Sequence, residues 1–165
     1  MLLYVMRHGP AEDRAASGLD ADRALTSAGR DVVKRAANEL RRAIGDAHLP
    51  RILSSPLRRA QETATILGSI AGTERLSPEV EDDLAADEEL PLRLVTELAG
   101  RGRDVAIVGH QPTVEHLVRH LSGRHDVLPS GFRTAMVVAL VIEGALPGAL
   151  PTAEIRWVVD PHALG

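Results

Sequence analysis

Four side chains in this sequence have the types and surroundings to handle a phosphoryl group: Arg7, His8, Arg59 and His110. Arginine is permanently charged and presents a planar fork of donors that fits phosphate oxygens, so Arg7 and Arg59 aimed at one point would clamp an anion. A neutral imidazole is an acceptable nucleophile near pH 7, and a guanidinium next door disfavours its protonation, so Arg7 would keep His8 reactive in the empty site. His110 would then be a second donor that stabilises charge spread over the equatorial oxygens in the transition state, with no metal required. Gly9 and Gly109 would let the backbone approach the phosphate, and the start of a helix after Gln111 offers amides to an anion. The expected catalytic set is therefore His8, Arg7, Arg59 and His110, with Arg7, Gly9, Arg59, His110 and Gln111 binding substrate, and neither metal nor cofactor.

Each of these residues also has a plainer reading. An Arg-His pair in a loop is usually a solvated turn, His110 would serve as a helix cap, and Arg59 would be an exposed helix charge like its neighbour Arg58. What favours the chemical reading is where the surrounding elements put these residues.

Leu2 to Met6 is a short apolar run that stops at polar residues, as expected of a strand buried on both faces. The stretch from Gly9 to Ala24 lacks apolar periodicity and reads as a long surface loop with room for a helical turn. Thr26 and Ser27 are cap residues. After them Val32, Val33, Ala36, Ala37, Leu40, Ala43 and Ile44 recur at helical spacing up to Gly45. Arg51 to Leu53 reads as a strand, and Pro56 as the first turn of a helix toward Gly68. The acidic segment Glu79 to Glu89 should be exposed, followed by a helix through Leu90, Leu94, Val95 and Leu98 that ends at Gly100 or Gly102. Val105 to Val108 is a buried strand, with Pro112 opening a helix through Leu117, Val118 and Leu121. Thr134 to Ile142 and Ala153 to Val159 read as strands joined by a turn at Gly144 to Pro151, a terminal hairpin.

Alternating strands and helices predict an α/β layered domain, a mainly parallel central sheet flanked by helices, over residues 1–165 as a single domain. Ligands in such sheets bind beyond the carboxyl ends of the strands. Arg7-His8-Gly9, Ser54-Ser55-Pro56 with Arg59 behind it, and Gly109-His110 all follow such ends, so two imidazoles and two guanidiniums should converge.

Composition narrows the partners. A formal charge of −4 and pI near 6.0 argue against nucleic-acid binding, and Tyr4, Phe132 and Trp157 are too few aromatics for a base-stacking platform. Without Cys there are no disulfides, thiolate metal sites or cysteine nucleophiles. The apolar start is too short for a signal sequence, and no run approaches the roughly 18 residues of a membrane span. A cytoplasmic protein without membrane association is expected.

The ordered motifs Arg7-His8-Gly9, Leu25-Thr26-x-x-Gly29, Ser54-Ser55-Pro56-x-x-Arg59-Ala60-x-x-Thr63-Ala64 and Gly109-His110 resemble those of the histidine phosphatase superfamily. The Met6-Arg7-His8-Gly9 start and the short chain are most similar to its SixA-type phosphohistidine phosphatases. The resemblance implies a phosphoglycerate mutase-like fold, His8 as the phosphorylated nucleophile, Arg7, Arg59 and His110 around the phosphate, and no cofactor. It also implies a phosphorylated protein or a small phosphorylated molecule as substrate. Many relatives carry a glutamate proton donor in the loop after the third strand, often as Leu-x-Glu. Here Leu84-Ala85-Ala86 has alanine in its place, with Asp82, Asp83, Asp87 and Glu88 nearby. An alkoxide leaving group needs a proton donor, whereas a phosphoramidate nitrogen can leave already protonated, so the departure points toward phosphohistidine.

Other readings are weaker. Asp20-Ala21-Asp22 looks like an aspartate-phosphatase motif but follows no apolar strand. His116 and His120 have the i, i+4 spacing of zinc ligands, but no Glu stands between them and an exposed helix face accounts for them. A mutase of phosphorylated sugar acids would need enclosing insertions for which the chain has no room. A phosphate-sensing module without turnover would have little use for both His8 and His110.

Overall fold

The computed structural model describes residues 1–74, 76–86, 89–143 and 149–163. Among these residues six strands form one sheet: β1 (Leu2–Arg7), β2 (Ile52–Ser54), β3 (Glu79–Val80), β4 (Val105–Gly109), β5 (Val137–Ile142) and β6 (Ala153–Val159). Their spatial order is β3-β2-β4-β1-β5-β6. β3, β2, β4 and β1 run parallel, β5 is antiparallel to β1, and β6 is antiparallel to β5. The terminal hairpin therefore extends the sheet by two strands, the antiparallel one lying inside the edge. Among the described residues four α-helices cover it: α1 (Ser27–Ile44), α2 (Arg58–Ala71), α3 (Leu92–Arg101) and α4 (Thr113–Ser122).

The pleat of β1 shows why its apolar run is continuous. Leu3 and Val5 pack into one core with α3 and α4, through Leu94, Val95, Leu98, Leu117 and Val118. Tyr4 and Met6 face the opposite core, with Val33, Ala37 and Leu40 of α1 and Ala60, Ala64 and Leu67 of α2. With both faces buried, strict alternation is not required. α1 begins where Thr26 accepts a hydrogen bond from the Gly29 amide at 2.9 Å, satisfying one orphan donor of the first turn.

Some features differ from expectation for local reasons. α2 starts at Arg58 rather than at Pro56, because Leu57 is still extended (ψ 136°) and its amide donates to Ser55 Oγ at 3.3 Å. β5 starts at Val137 rather than Thr134, because Ala135 has left-handed backbone (φ 60°), which no strand accommodates. The acidic segment is not wholly exposed: Leu84 is buried beneath it, and Glu79–Val80 forms β3 against β2. α3 starts at Leu92, past Leu90, and ends at Arg101 with left-handed Gly102 as its cap, one of the two stops expected. Most of the expected hairpin turn, residues 144–148, lies outside the described residues, as do Asp87 and Glu88.

Candidate active site

The parallel strands β1, β2 and β4 end side by side: Arg7 is in register with Gly109, and Ser54 with Val108. The residues that follow, His8, Ser55 and His110, therefore emerge together. Backbone bonds lock them there, His8 N to Gly109 O at 3.1 Å and Ser55 N to Val108 O at 3.0 Å. The left-handed Ala135 completes the frame, its amide shared at 3.1 Å between the carbonyls of Arg7 and His8.

The two imidazoles meet with ring centroids 5.0 Å apart. Nδ1 of His8 lies 2.7 Å from the Gly9 carbonyl. A carbonyl only accepts, so this nitrogen carries the proton and the lone pair is on Nε2. His110, buried, places Nε2 2.7 Å from Ser55 Oγ, while its Nδ1 has no protein partner. Since Ser55 Oγ already accepts from the Leu57 amide, its hydroxyl is suited to donate to His110 Nε2, which leaves Nδ1–H as the free donor. Burial pulls the His8 pKa down to about 4; the Gly9 bond opposes this, and Arg59, Arg7 and Arg23 add repulsion. Burial likewise pulls His110 down to about 3, with repulsion from His8 and Arg59 behind it. His8 is thus neutral, as anticipated. The main cause is desolvation rather than Arg7, and Arg59 outweighs Arg7 among the charges.

Arg7 ends β1, and Arg59 lies in the first turn of α2. Arg7 NH1 donates to Gln111 Oε1 at 2.6 Å and to Phe132 O at 2.9 Å. Arg59 is buried and faces Asp20, to whose carbonyl it donates at 2.9 Å and to whose carboxylate at 3.0 Å. Among the described residues, the buried side-chain nitrogens and oxygens without a partner are Arg7 Nε, Arg59 Nε and His110 Nδ1. All three belong to this cluster, and each is suited to donate to an oxyanion.

Gly9 and Gly109 serve the packing of the site's frame. The Gly9 amide is committed to Thr63 Oγ1 at 3.0 Å, and a β-carbon on Gly9 would lie 2.3 Å from Val33 Cγ2. On Gly109 it would lie 3.0 Å from Val114 Cγ1. Both glycines make room for a helix at the strand ends, α1 against Gly9 and α4 against Gly109. Gln111 touches Arg7 and is exposed. Arg58 is exposed and pairs with Glu62 at 3.0 Å, so the two neighbouring arginines separate as their spacing on a helix demands. His116 and His120 lie on the exposed face of α4.

Three contributors escaped the sequence reading of roles: Ser55 on His110, Thr63 on Gly9, and Asp20 on Arg59. Ser55 and Thr63 stand inside recognised motifs, so their positions were marked though their partners were not. Asp20 reaches Arg59 from a 3-10 turn (Asp20–Asp22) across 39 residues of sequence, and no local pattern announces such a contact. Asp20 is held below the usual carboxylate range, first by its bond from Arg23 and then by Arg59.

Comparison with known proteins gives the family and the fold. A family model described as the histidine phosphatase superfamily (branch 1) matches residues 3–86. An uncharacterized protein of Picosynechococcus sp. is 38% identical over 115 residues, covering 68% of this chain and 67% of its own. The protein histidine phosphatase SixA, in a complex with tungstate, superposes over all of both chains with TM-score 0.83 and 27% identity. A mycobacterial glucosyl-3-phosphoglycerate phosphatase with VO3 covers 94% of this chain and 97% of its own at TM-score 0.69, and at 20% identity that likeness concerns the fold alone. The chain belongs to the histidine phosphatase superfamily, branch 1, and is SixA-like.

Proposed function

We propose that this protein is a metal-independent phosphatase that takes a phosphoryl group onto His8 Nε2, and that its substrate is phosphohistidine carried by a protein. The observation that carries the reading is the set of three unpartnered buried donors, Arg7 Nε, Arg59 Nε and His110 Nδ1, grouped around a neutral His8. Buried donors without acceptors are costly, and a phosphoryl group supplies acceptors of the right charge.

In the first step the Nε2 lone pair forms a bond to phosphorus while the bond from phosphorus to the leaving nitrogen breaks; the substrate imidazole, already protonated on its other ring nitrogen, takes the bonding pair and departs neutral. In the second, water attacks the phosphorylated His8, the phosphorus–nitrogen bond breaks, and a water proton passes to the phosphate. The guanidiniums and His110 hold the equatorial oxygens through both steps, supplying the positive charge that a metal would otherwise provide.

The substrate class rests on what surrounds the leaving group. Ala85 and Ala86 follow the buried Leu84, whose carbonyl lies 3.9 Å from where a Gly109 β-carbon would stand, so this loop borders the site without a carboxylate in the glutamate position. Asp20 is held ionised by Arg23 and Arg59 and is a poor proton donor. A fold shared with an ester phosphatase does not choose the substrate, but the shortage of an acid favours a leaving group that needs none.

A panel of phosphohistidine peptide, phosphoramidate, p-nitrophenyl phosphate and alkyl phosphates tests this. One general acid contributes on the order of 10²–10⁴-fold, so phosphohistidine and phosphoramidate should exceed alkyl phosphates in kcat/KM by a comparable margin, with Ala86→Glu narrowing the gap. Efficient turnover of alkyl phosphates, lost in Asp87→Asn with phosphoramidate spared, would move the substrate to small phosphate esters.

A further inference from the structure

Arg7 has two acceptors, and both are held by one carboxylate that the catalytic steps above do not use. Glu115, on the first turn of α4, accepts from Gln111 Nε2 at 2.8 Å through Oε2, and the same oxygen accepts from the Phe132 amide at 3.1 Å. Gln111 Oε1 and the Phe132 carbonyl are the two atoms that receive Arg7 NH1, at 2.6 and 2.9 Å. The remaining oxygen, Oε1, is gripped by Arg119 through Nε at 3.1 Å and NH2 at 2.8 Å.

The chemistry of these groups makes the arrangement directional. A carboxylate can only accept and a guanidinium can only donate, so an amide bridging the two must turn its NH2 to Glu115 and its carbonyl to Arg7. Glu115 thereby dictates which way Gln111 points, and through the Phe132 amide it also anchors the loop whose carbonyl holds Arg7 from the other side. The carboxylate itself is half-buried. Burial raises its pKa, but the Phe132 bond and Arg119 more than offset that, so it stays charged.

We propose that Glu115 is the positioning residue for Arg7: it fixes both acceptors of the guanidinium and so presets the Arg7 fork for an oxyanion. The proposal rests on the reading of the Arg7, Arg59 and His110 cluster as a phosphoryl site. It assigns Glu115 no contact with the substrate.

A double-mutant cycle read out as orthovanadate affinity by calorimetry tests the proposal without requiring turnover. Glu115→Gln and Glu115→Ala should each weaken orthovanadate binding roughly tenfold, about the worth of one charge-assisted hydrogen bond. In an Arg7→Ala background the same substitutions should cost less than about twofold, because there is no guanidinium left to position. A merely structural Glu115 would cost the same in both backgrounds, and that result would overturn the proposal. Full affinity in Glu115→Gln, should Glu115→Ala fail to fold, would overturn it equally. Orthovanadate binding by the parent chain separates the two readings. If the parent binds tightly and the cycle is additive, only the positioning role fails; if the parent does not bind at all, the phosphoryl site fails with it.

Discussion

His8 and His110 face each other across 5.0 Å with their rings tilted by 52°, the lone pair of one and the free N–H of the other left for a shared ligand. Both rings are uncharged at neutral pH because burial holds their pKa values low, at about 4 and about 3.

That pair links stability to pH. The ordinary value of 6.5 applies to the unfolded chain, so between about pH 6.5 and 4 the unfolded chain takes up protons that folded His8 and His110 refuse. Their contribution to stability is complete above 6.5 and is lost as pH falls, by up to about 1.4 kcal/mol per pH unit for each ring. Urea midpoints of the parent and of the double variant His8→Asn/His110→Asn should converge as pH falls from 7.5 to 4.5. Parallel curves would mean that folding does not lower the pKa values of the two imidazoles.

Arg59 and Arg58 are neighbours with opposite fates, the first buried against Asp20 and the second exposed beside Glu62. Arg59→Lys and Arg7→Lys should each lower kcat/KM by about tenfold or more, since an ammonium cannot reproduce a fork of donors. Arg58→Lys should change it less than about twofold. Equal losses at 58 and 59 would contradict the assignment of the buried arginine to the phosphate.

Asp20 holds Arg59 but also turns a negative charge toward the site. Asp20→Asn keeps an acceptor for Arg59 and removes the charge, so orthovanadate should bind a few-fold more tightly at low salt, with the gain shrinking as ionic strength rises. Weaker binding in this variant would mean that the charge of Asp20, rather than its geometry, is what keeps Arg59 in place.

Gly9 tests the packing frame. A methyl group there would collide with Val33 Cγ2 at 2.3 Å, so Gly9→Ala should cost about 1–3 kcal/mol in a denaturant melt, typical of overpacking. Unchanged stability would show that α1 can yield without cost.

The parts of this molecule legible in its sequence are those governed by short-range rules. The burial of β1 on both faces follows from the apolar run Leu2 to Met6, and the Thr26 cap from its place before a helical repeat. The meeting of Arg7, His8, Arg59 and His110 follows from the rule that such sheets bind ligands at strand ends. What could not be read are contacts made by loops over long separations. Asp20 on Arg59 and the Phe132 carbonyl on Arg7 depend on how the segments 9–24 and 131–136 return to the sheet, and neither segment has a period to betray it. A glycine beside a candidate nucleophile fits close phosphate approach as readily as close helix packing, and the packing part becomes visible only with the positions of Val33 and Val114.

In the proposed mechanism His8 carries the phosphoryl group through Nε2. Rapid quench of the protein with ³²P-labelled phosphoramidate should trap label that is acid-labile and alkali-stable, and that maps by mass spectrometry to His8, in the Nε2-linked isomer. The label should be absent in His8→Ala, whose turnover should fall by about 10³-fold or more, as expected when a covalent nucleophile is removed. Near-normal turnover in His8→Ala, or label on any other residue, would contradict the account.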